Sequence, residues 1–311
     1  MAEYVAKLII IGSGPAGYSA GIYAARAGLD PIIISGFEVG GQLTMTASVE
    51  NFPGLTQSVS GLELMERMHQ QALNFGVKII NDRITEVDLC TSPFVLSTEN
   101  GNCCKTQTLI IATGASAKWL NIETEKRYIG RGISTCATCD GFFYKNKPVA
   151  IVGGGNSAAI EALYLTNFAS KVYMIHRRDE LRADSILRQR LKKNPKIEIV
   201  WNSIIEEFFG REDISGIKIK NVLTDERKLI DVSGVFLAIG HKPNTELFKK
   251  YLDLDADGYI ITRPKSTMTN IEGVFAAGDV QDNAFRQAVI AVGSGAMAAI
   301  EAQRYLASKE A

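Results

Sequence analysis

Residues 7–11, Lys-Leu-Ile-Ile-Ile, stop at a glycine-rich turn, and residues 18–28 then place small and apolar side chains at helical spacing up to Gly28. An unbroken apolar strand fits a parallel sheet covered on both faces, so the segment predicts strand, turn and helix, with PIIIS (31–35) as the next strand. The pattern recurs: KPVAIVGGGNSA (147–158) is strand and turn, EALYLTNFA continues as helix, and KVYMIHRR is a second strand. Each unit has an exit strand, LIIATGA (109–115) and VFLAIGHKP (235–243). The expected fold is α/β, with two Rossmann-like dinucleotide-binding domains.

Residues 245–311 break the symmetry. They hold one more strand and turn, GVFAAGD (273–279), and a helical run RQAVIAVGSGAMAAIEAQRYL, too little for a third core. The tail is expected to complete a discontinuous first domain, 1–116 and 245–311, with 117–244 inserted. Crossings near Ala117–Leu120 and His241–Asn244 are where a hinge could sit. A helix over GLELMERMHQQALNFG places Leu62, Met65, His69 and Ala72 near one face, which makes His69 a packing or surface residue. Cys90 falls in a strand pattern; Cys103 and Cys104 fall in a predicted hairpin turn, ENGNCCKT, and adjacent cysteines rarely bridge.

Composition changes the picture mainly by exclusion. Lys plus Arg and Asp plus Glu both number 34, so no bulk field draws the chain to nucleic acid or acidic lipid. The start, MAEYVAKLIII, has no long apolar leader core, and no apolar run reaches membrane-spanning length, so a soluble cytoplasmic protein is expected. Five cysteines are not a disulfide scaffold, which favours a catalytic over a structural Cys-Cys pair.

Candidate chemistry starts with the turns. In Gly12-Ser13-Gly14-Pro15-Ala16-Gly17, glycine allows the tight turn and the close approach of a pyrophosphate to the following helix N-terminus. The usual ribose-binding acid is missing, because the next strand ends Ser35-Gly36; Glu38 is the nearest substitute. The second turn, Gly153-Gly154-Gly155-Asn156-Ser157-Ala158, is followed by a strand ending His176-Arg177-Arg178, with Arg182 beyond. Arginines pair with a ribose 2′-phosphate that a carboxylate would repel, so this reads as an NADP site. Cys136 and Cys139, in STCATCDG (134–141), could be half a zinc site, a redox disulfide or coincidental buried thiols. Zinc lacks ligands: there is no second CxxC, and the three histidines, His69, His176 and His241, are scattered. An NADP fold beside a second dinucleotide fold suggests a flavin there, able to take a hydride and pass the electron pair to a disulfide. A CxxC pair lowers its thiol pKa; an ionised Asp140 would oppose that, so Asp140 suits proton transfer, with an N-cap of the DGFFY turn as the alternative.

These residues carry a resemblance. GSGPAG (12–17), GGQL (40–43), ENFPG (50–54), ATGA (112–115), CATCDGFFY (136–144), GGGNSA (153–158), HRR (176–178), AIGHKPN (238–244), GVFAAGD (273–279) and RQA (286–288) together resemble the low-molecular-weight, bacterial-type thioredoxin reductases over essentially the whole chain. The resemblance implies FAD in the first and third segments, NADPH in the middle, no metal, a homodimer, and thioredoxin as disulfide substrate. It makes Cys136 and Cys139 the redox pair, Cys139 nearer the flavin, with Asp140 handling the proton. It implies FAD contacts from Gly12, Ser13, Gly14, Pro15, Ala16, Ser35, Gly36, Glu38, Gly41, Gln42, Leu43, Asn51, Ile84, Ala112, Thr113, Gly114 and Gly278, with Asp279 on the ribityl chain and Arg286, Gln287 and Ala288 at the isoalloxazine edge. NADPH contacts would come from Gly153, Gly154, Gly155, Asn156, Ser157, His176, Arg177, Arg178, Arg182 and Gly240. Disulfide and NADPH site share the inserted domain, so the resemblance also implies rotation between domains. Two rivals differ in the cysteines: a flavoprotein ferredoxin reductase has no need of CATC, and a nucleotide-binding sensor would need neither thiol.

Overall fold

The apolar run that opens the chain becomes the centre of a sheet. Strand Glu3–Ile11 pairs in parallel with Ile32–Ile34 on one side and with Cys103–Ile111 on the other. Lys78–Ile80 extends the sheet beyond Ile32–Ile34. Strand Cys103–Ile111 has two neighbours on its far side: its first half pairs antiparallel with Phe94–Thr98, and Leu109–Ile111 pairs in parallel with Val274–Ala276. Alternation explains the continuous apolar sequence: Leu8, Ile10, Ile33 and Ile110 enter the core under the helices, while Ile9, Ile11, Ile34 and Ile111 enter the core on the other face.

The computed structural model describes residues 2–310, and it divides into two units, Met1–Ser116 with Lys242–Ala311, and Ala117–His241. In the first, helix Ala288–Glu310 packs on helix Pro15–Arg26 through small residues, Ala16, Ala20 and Ala24 against Ala291, Ala298 and Ala302. In the second, a five-stranded parallel sheet runs in the order Ile197–Val200, Lys171–Ile175, Pro148–Val152, Gly234–Leu237, Ile133–Ser134. Helix Asn156–Leu165 covers one face, and an antiparallel meander, Ser203–Gly210, Ile214–Asn221 and Arg227–Asp231, covers the other.

The chain crosses between units after Ser116 and after His241, and strands Ala115–Ala117 and His241–Pro243 pair with each other. The second crossing thus lies before Asn244 rather than after it. Asn244 belongs with the first unit because Nδ2 donates to Thr113 O (2.8 Å), its N–H donates to Gly114 O (3.0 Å), and its Oδ1 accepts from Ser116 Oγ (3.1 Å).

Three local expectations are corrected. Leu62 is 63% exposed, because helix Gly61–Asn74 turns Leu64, Met65, Met68 and Ala72 inward and Leu62 lies about a quarter turn off that stripe. Cys103 and Cys104 open a strand instead of forming a hairpin turn; Cys104 lies opposite Leu96, fully buried, and burial pushes its thiol up to about 11. Cys90 is exposed in the bend after strand Ile84–Asp88. Among the described residues, no helix is long and apolar enough to cross a membrane.

The helix contact of the first unit makes a paired prediction. A Cβ on Gly295 would lie 2.1 Å from Ala16 O, whereas one on Gly293 meets nothing within 4 Å. Gly295→Ala should destabilise by about 2–3 kcal/mol through overpacking. Gly293→Ala should be neutral or stabilise by up to about 1 kcal/mol, because alanine is the better helix former. Urea denaturation of both variants reads the difference.

Candidate active site

The first glycine turn is built by three different requirements. A Cβ on Gly12 would lie 2.2 Å from Ala112 O, and one on Gly17 would lie 1.9 Å from Gly12 O, so both positions admit only hydrogen. Gly14 is different: nothing lies within 4 Å of its Cβ position, and it caps helix Pro15–Arg26 without a side-chain hydrogen bond. Its surroundings leave room for a group to approach the first-turn amides of that helix, where Pro15 takes an early position that needs no donor.

Other predicted segments converge on this turn. A Cβ on Gly41 would sit 3.2 Å from Gly14 Cα, and one on Gly278 would sit 2.9 Å from the Ala16 Cβ. Gln42 and Leu43 follow Gly41 in the short helix Gln42–Met45, and Thr113 Oγ1 donates to Asn244 O at 2.8 Å. The Ser13 hydroxyl is turned inward; it donates to Ser35 O (2.9 Å) and accepts from Gly40 N–H (3.1 Å), joining three segments. Gly36 N–H donates to Asp82 O (3.0 Å), and the Glu38 side chain is exposed beside it. Asn51 Nδ2 donates to Gln287 Oε1 at 3.4 Å, which brings ENFPG to RQA. Ile84 is the outlier: its side chain is buried in the core shared with Ile9, Ile11 and Leu96.

Two positioning residues were missed. Asp282 accepts backbone N–H bonds from Ala284 (2.9 Å), Phe285 (3.0 Å) and Arg286 (3.1 Å), which shapes the approach to Ala288. The signal was present as an aspartate two residues before a turn. Ser294 Oγ accepts from Gly278 N–H (2.9 Å) across sixteen residues, and no local pattern announces that.

In the second unit, Gly155 repeats Gly14: nothing lies within 4 Å of its Cβ position at the start of helix Asn156–Leu165. A Cβ on Gly153 would meet Ala158 Cβ and Ala238 O, each at 2.6 Å, and one on Gly154 would lie 2.2 Å from the His176 ring. His176 is 7% exposed, with Nδ1 3.0 Å from Gly153 O and Nε2 3.0 Å from Glu180 O. It braces the glycine turn against the loop carrying Arg177, Arg178 and Arg182, whose side chains are exposed. The same loop is tied by Arg182 N–H to Gly154 O (2.8 Å) and by Asn156 Nδ2 to Asp184 Oδ2 (2.9 Å). Ser157 is exposed in the first helical turn, and Gly240 O accepts from Lys118 N–H (3.0 Å).

The same unit carries the cysteines. Cys136 and Cys139 form a disulfide, with Cys136 as N-cap of the short helix Ala137–Asp140. Cys136 Sγ accepts from Cys139 N–H at 3.2 Å, Cys136 N–H donates to Ser134 Oγ at 3.0 Å, and buried Ala137 anchors the turn in the core. Among the described residues, no group of three or more His, Cys, Asp or Glu is placed to hold a metal.

The pyridine nucleotide-disulphide oxidoreductase family matches residues 6–295. The thioredoxin reductase of Rickettsia bellii is 57% identical over 303 residues, which is 96% of this chain and 98% of its own length. The chain belongs to the thioredoxin reductases. Two solved thioredoxin reductases, from Giardia duodenalis and Streptococcus pyogenes, each superpose with a TM-score of 0.93 at 39% identity, covering 98% of this chain and 99% of their own.

For a thioredoxin reductase chain, the shifted carboxyls are the ones of interest. Burial raises the pKa of Asp140, with a hydrogen bond from Ser134 opposing it. Asp140 stands at the head of the turn Gly141–Tyr144 without making a side-chain cap, so capping does not account for it. Tyr144 is pushed up to about 12 by burial and then by Asp140 and Asp213. Asp279 is pushed up to about 6 by burial and by Asp282, with Arg286 opposing.

Asp279 gives a pH prediction. Below about pH 4 its carboxyl is protonated in both folded and unfolded protein; between about 4 and 6 the unfolded form ionises first, so the raised folded pKa costs stability as pH rises. Without FAD, Asp279→Asn should therefore be more stable than wild type above about pH 6, by about 3 kcal/mol, and equal to it below about pH 4. Urea denaturation of FAD-free protein at both pH values measures this.

Proposed function

We propose that this oxidoreductase passes electrons from NADPH, through FAD held by the first unit, to the Cys136–Cys139 disulfide and on to the disulfide of thioredoxin. One observation carries the reading: the second unit holds a formed CxxC disulfide together with a glycine turn flanked by exposed arginines, in a chain whose first unit has its own open glycine turn.

The residues present fit both cofactors. Bound FAD supplies a two-electron carrier that takes a hydride and reduces a disulfide. In the first unit, the open approach at Gly14 suits a pyrophosphate on the helix amides, Asp279 offers a half-buried acceptor to ribityl hydroxyls, and Glu38 offers an exposed acceptor to the ribose. In the second, Gly155 leaves the matching approach open, and Arg177, Arg178 and Arg182 pair with a 2′-phosphate while His176 holds their loop to the turn.

The chain's own part in the chemistry follows from the disulfide. Reduction breaks the Sγ–Sγ bond and leaves Cys136 as a thiolate that keeps the Cys139 N–H bond. The Cys136 thiolate attacks one sulfur of the partner disulfide and displaces the other; Cys139 then attacks Cys136 Sγ, re-forms the internal bond and releases the second partner thiolate. Asp140, its pKa raised by burial, keeps a proton to higher pH than an ordinary carboxyl, which suits it to protonate a departing thiolate. Because the NADPH turn and the disulfide share one unit and the FAD turn belongs to the other, the reading includes rotation at the paired crossings. It also includes a homodimer, supported by the exposed apolar stripe Val289, Ile290, Met297 and Ile300, and a reducing cytoplasmic setting, where a reducible CxxC pair is catalytic rather than structural.

Two sets of variants test the reading. Arg177→Ala with Arg178→Ala should weaken NADPH by about 10-fold or more and NADH by little, since each charge-assisted bond to the 2′-phosphate is worth roughly 1.5–3 kcal/mol; equal losses for both nucleotides would sink the assignment. Cys136→Ser or Cys139→Ser should keep FAD and its reduction by NADPH, yet abolish reduction of thioredoxin. Wild-type thioredoxin reduction by either serine variant would overturn the role of the pair.

A further inference from the structure

Two donors from one short helix meet at a single sulfur. Besides the Cys139 N–H at 3.2 Å, the Thr138 hydroxyl lies 3.4 Å from Cys136 Sγ. A disulfide sulfur carries no proton, so in this contact the hydroxyl is the donor and the sulfur the acceptor. The spacing of the motif puts it there. Cys136 caps the helix, Ala137 is buried and fixes the turn against the core, and Thr138 is left on the exposed side next to the capping sulfur.

We propose that Thr138 is a catalytic residue for this thiol-disulfide exchange: its hydroxyl hydrogen-bonds the Cys136 thiolate and increases the fraction of Cys136 in the attacking form at neutral pH. The proposal rests on the reading of Cys136 as the thiol that attacks the partner disulfide. When two electrons enter the disulfide, the Sγ–Sγ bond breaks and Cys136 Sγ leaves with the bonding pair. The sulfur changes from a weak, neutral acceptor into a charged one, and a donor already in place binds the second state more strongly than the first. The Cys136–partner bond then forms as the partner disulfide breaks, and the pair goes to the departing partner sulfur. Cys139 closes the cycle by attacking Cys136 Sγ, so two electrons leave the dithiol for the partner and no further reactant is needed. Lowering a thiol pKa also lowers its intrinsic nucleophilicity, but the gain in thiolate fraction outweighs that while the pKa stays above ambient pH.

The chemistry of position 138 makes the test clean. Valine matches threonine in shape and lacks the hydroxyl; serine keeps the hydroxyl and lacks the methyl. The FAD-loaded, full-length enzyme is reduced in parallel with dithiothreitol and with NADPH, then alkylated with iodoacetamide across a pH series, and Cys136 modification is followed by peptide mass spectrometry. In the dithiothreitol series, Thr138→Val should move the alkylation midpoint of Cys136 to higher pH and slow its alkylation at neutral pH by roughly three- to tenfold, the net worth of one ordinary hydrogen bond at an exposed site. Thr138→Ser should follow wild type. A Thr138→Val profile that superimposes on wild type, or a Thr138→Ser profile displaced as far as that of Thr138→Val, overturns the role of the hydroxyl. If NADPH fails to expose Cys136 to alkylation where dithiothreitol succeeds, the electron route proposed above fails, while the dithiothreitol series still decides the role of Thr138.

Discussion

The constraint on which the rest depends is the close approach of backbone to backbone at the end of the first strand. Gly17 in the first helix lies against the carbonyl of Gly12, Gly12 lies against the carbonyl of Ala112, and Gly295 in the last helix lies against the carbonyl of Ala16. None of these has room for a side chain. Two helices and the ends of two strands can therefore meet at one place, and Gly14, whose own Cβ direction is clear, stands open at the helix start. Four segments distant in sequence meet around that turn because the backbones touch there. Larger side chains would hold them apart.

The second unit solves the same problem with other atoms. Alanine takes the third motif position as Ala158, and its methyl fills the space next to Gly153. The imidazole of His176 lies directly beneath Gly154, between two backbone carbonyls, so that the turn and the arginine loop are one piece. In the proposed reading this preorganisation favours phosphate binding, because arginines on a loose loop would have to be ordered by the ligand at a cost in affinity. Charge is distributed accordingly. The arginines are exposed to water, while Asp140 and Asp279 are partly desolvated and hold their protons longer.

The redox turn combines anchoring with access. Ala137 and the bond from Cys136 N–H to Ser134 fix one end, while Thr138 and Phe142, the latter 58% exposed, remain at the surface. A sulfur that must be reached by a large partner and still be held at fixed geometry needs both.

Much of this was legible along the chain. Strand–turn–helix periodicity, the glycine spacing, the arginines after the second strand and CATC are local, because each depends on residues within a turn or two of one another. The C-terminal strand and helix could be expected to return, but their place, beside Leu109–Ile111 and on the first helix, is decided by which faces remain uncovered once the sheet has formed. Local patterns misled at Leu62, where one helical stripe competes with another, and at Cys103 and Cys104, where a glycine turn two residues earlier suggested a longer hairpin loop than the strand allows. The inward Ser13 hydroxyl, the Asn244 clasp on Thr113, the Ser294 bond to Gly278 and the placement of His176 under Gly154 belong to tertiary structure alone. By itself the sequence determined the two glycine turns and the thiol pair, since those are set by conformational freedom and residue type at short range. Which polar side chains face a ligand and which hold the turns in place was decided only when distant segments packed, because a buried hydroxyl, amide or imidazole takes whichever backbone partner the fold brings within reach.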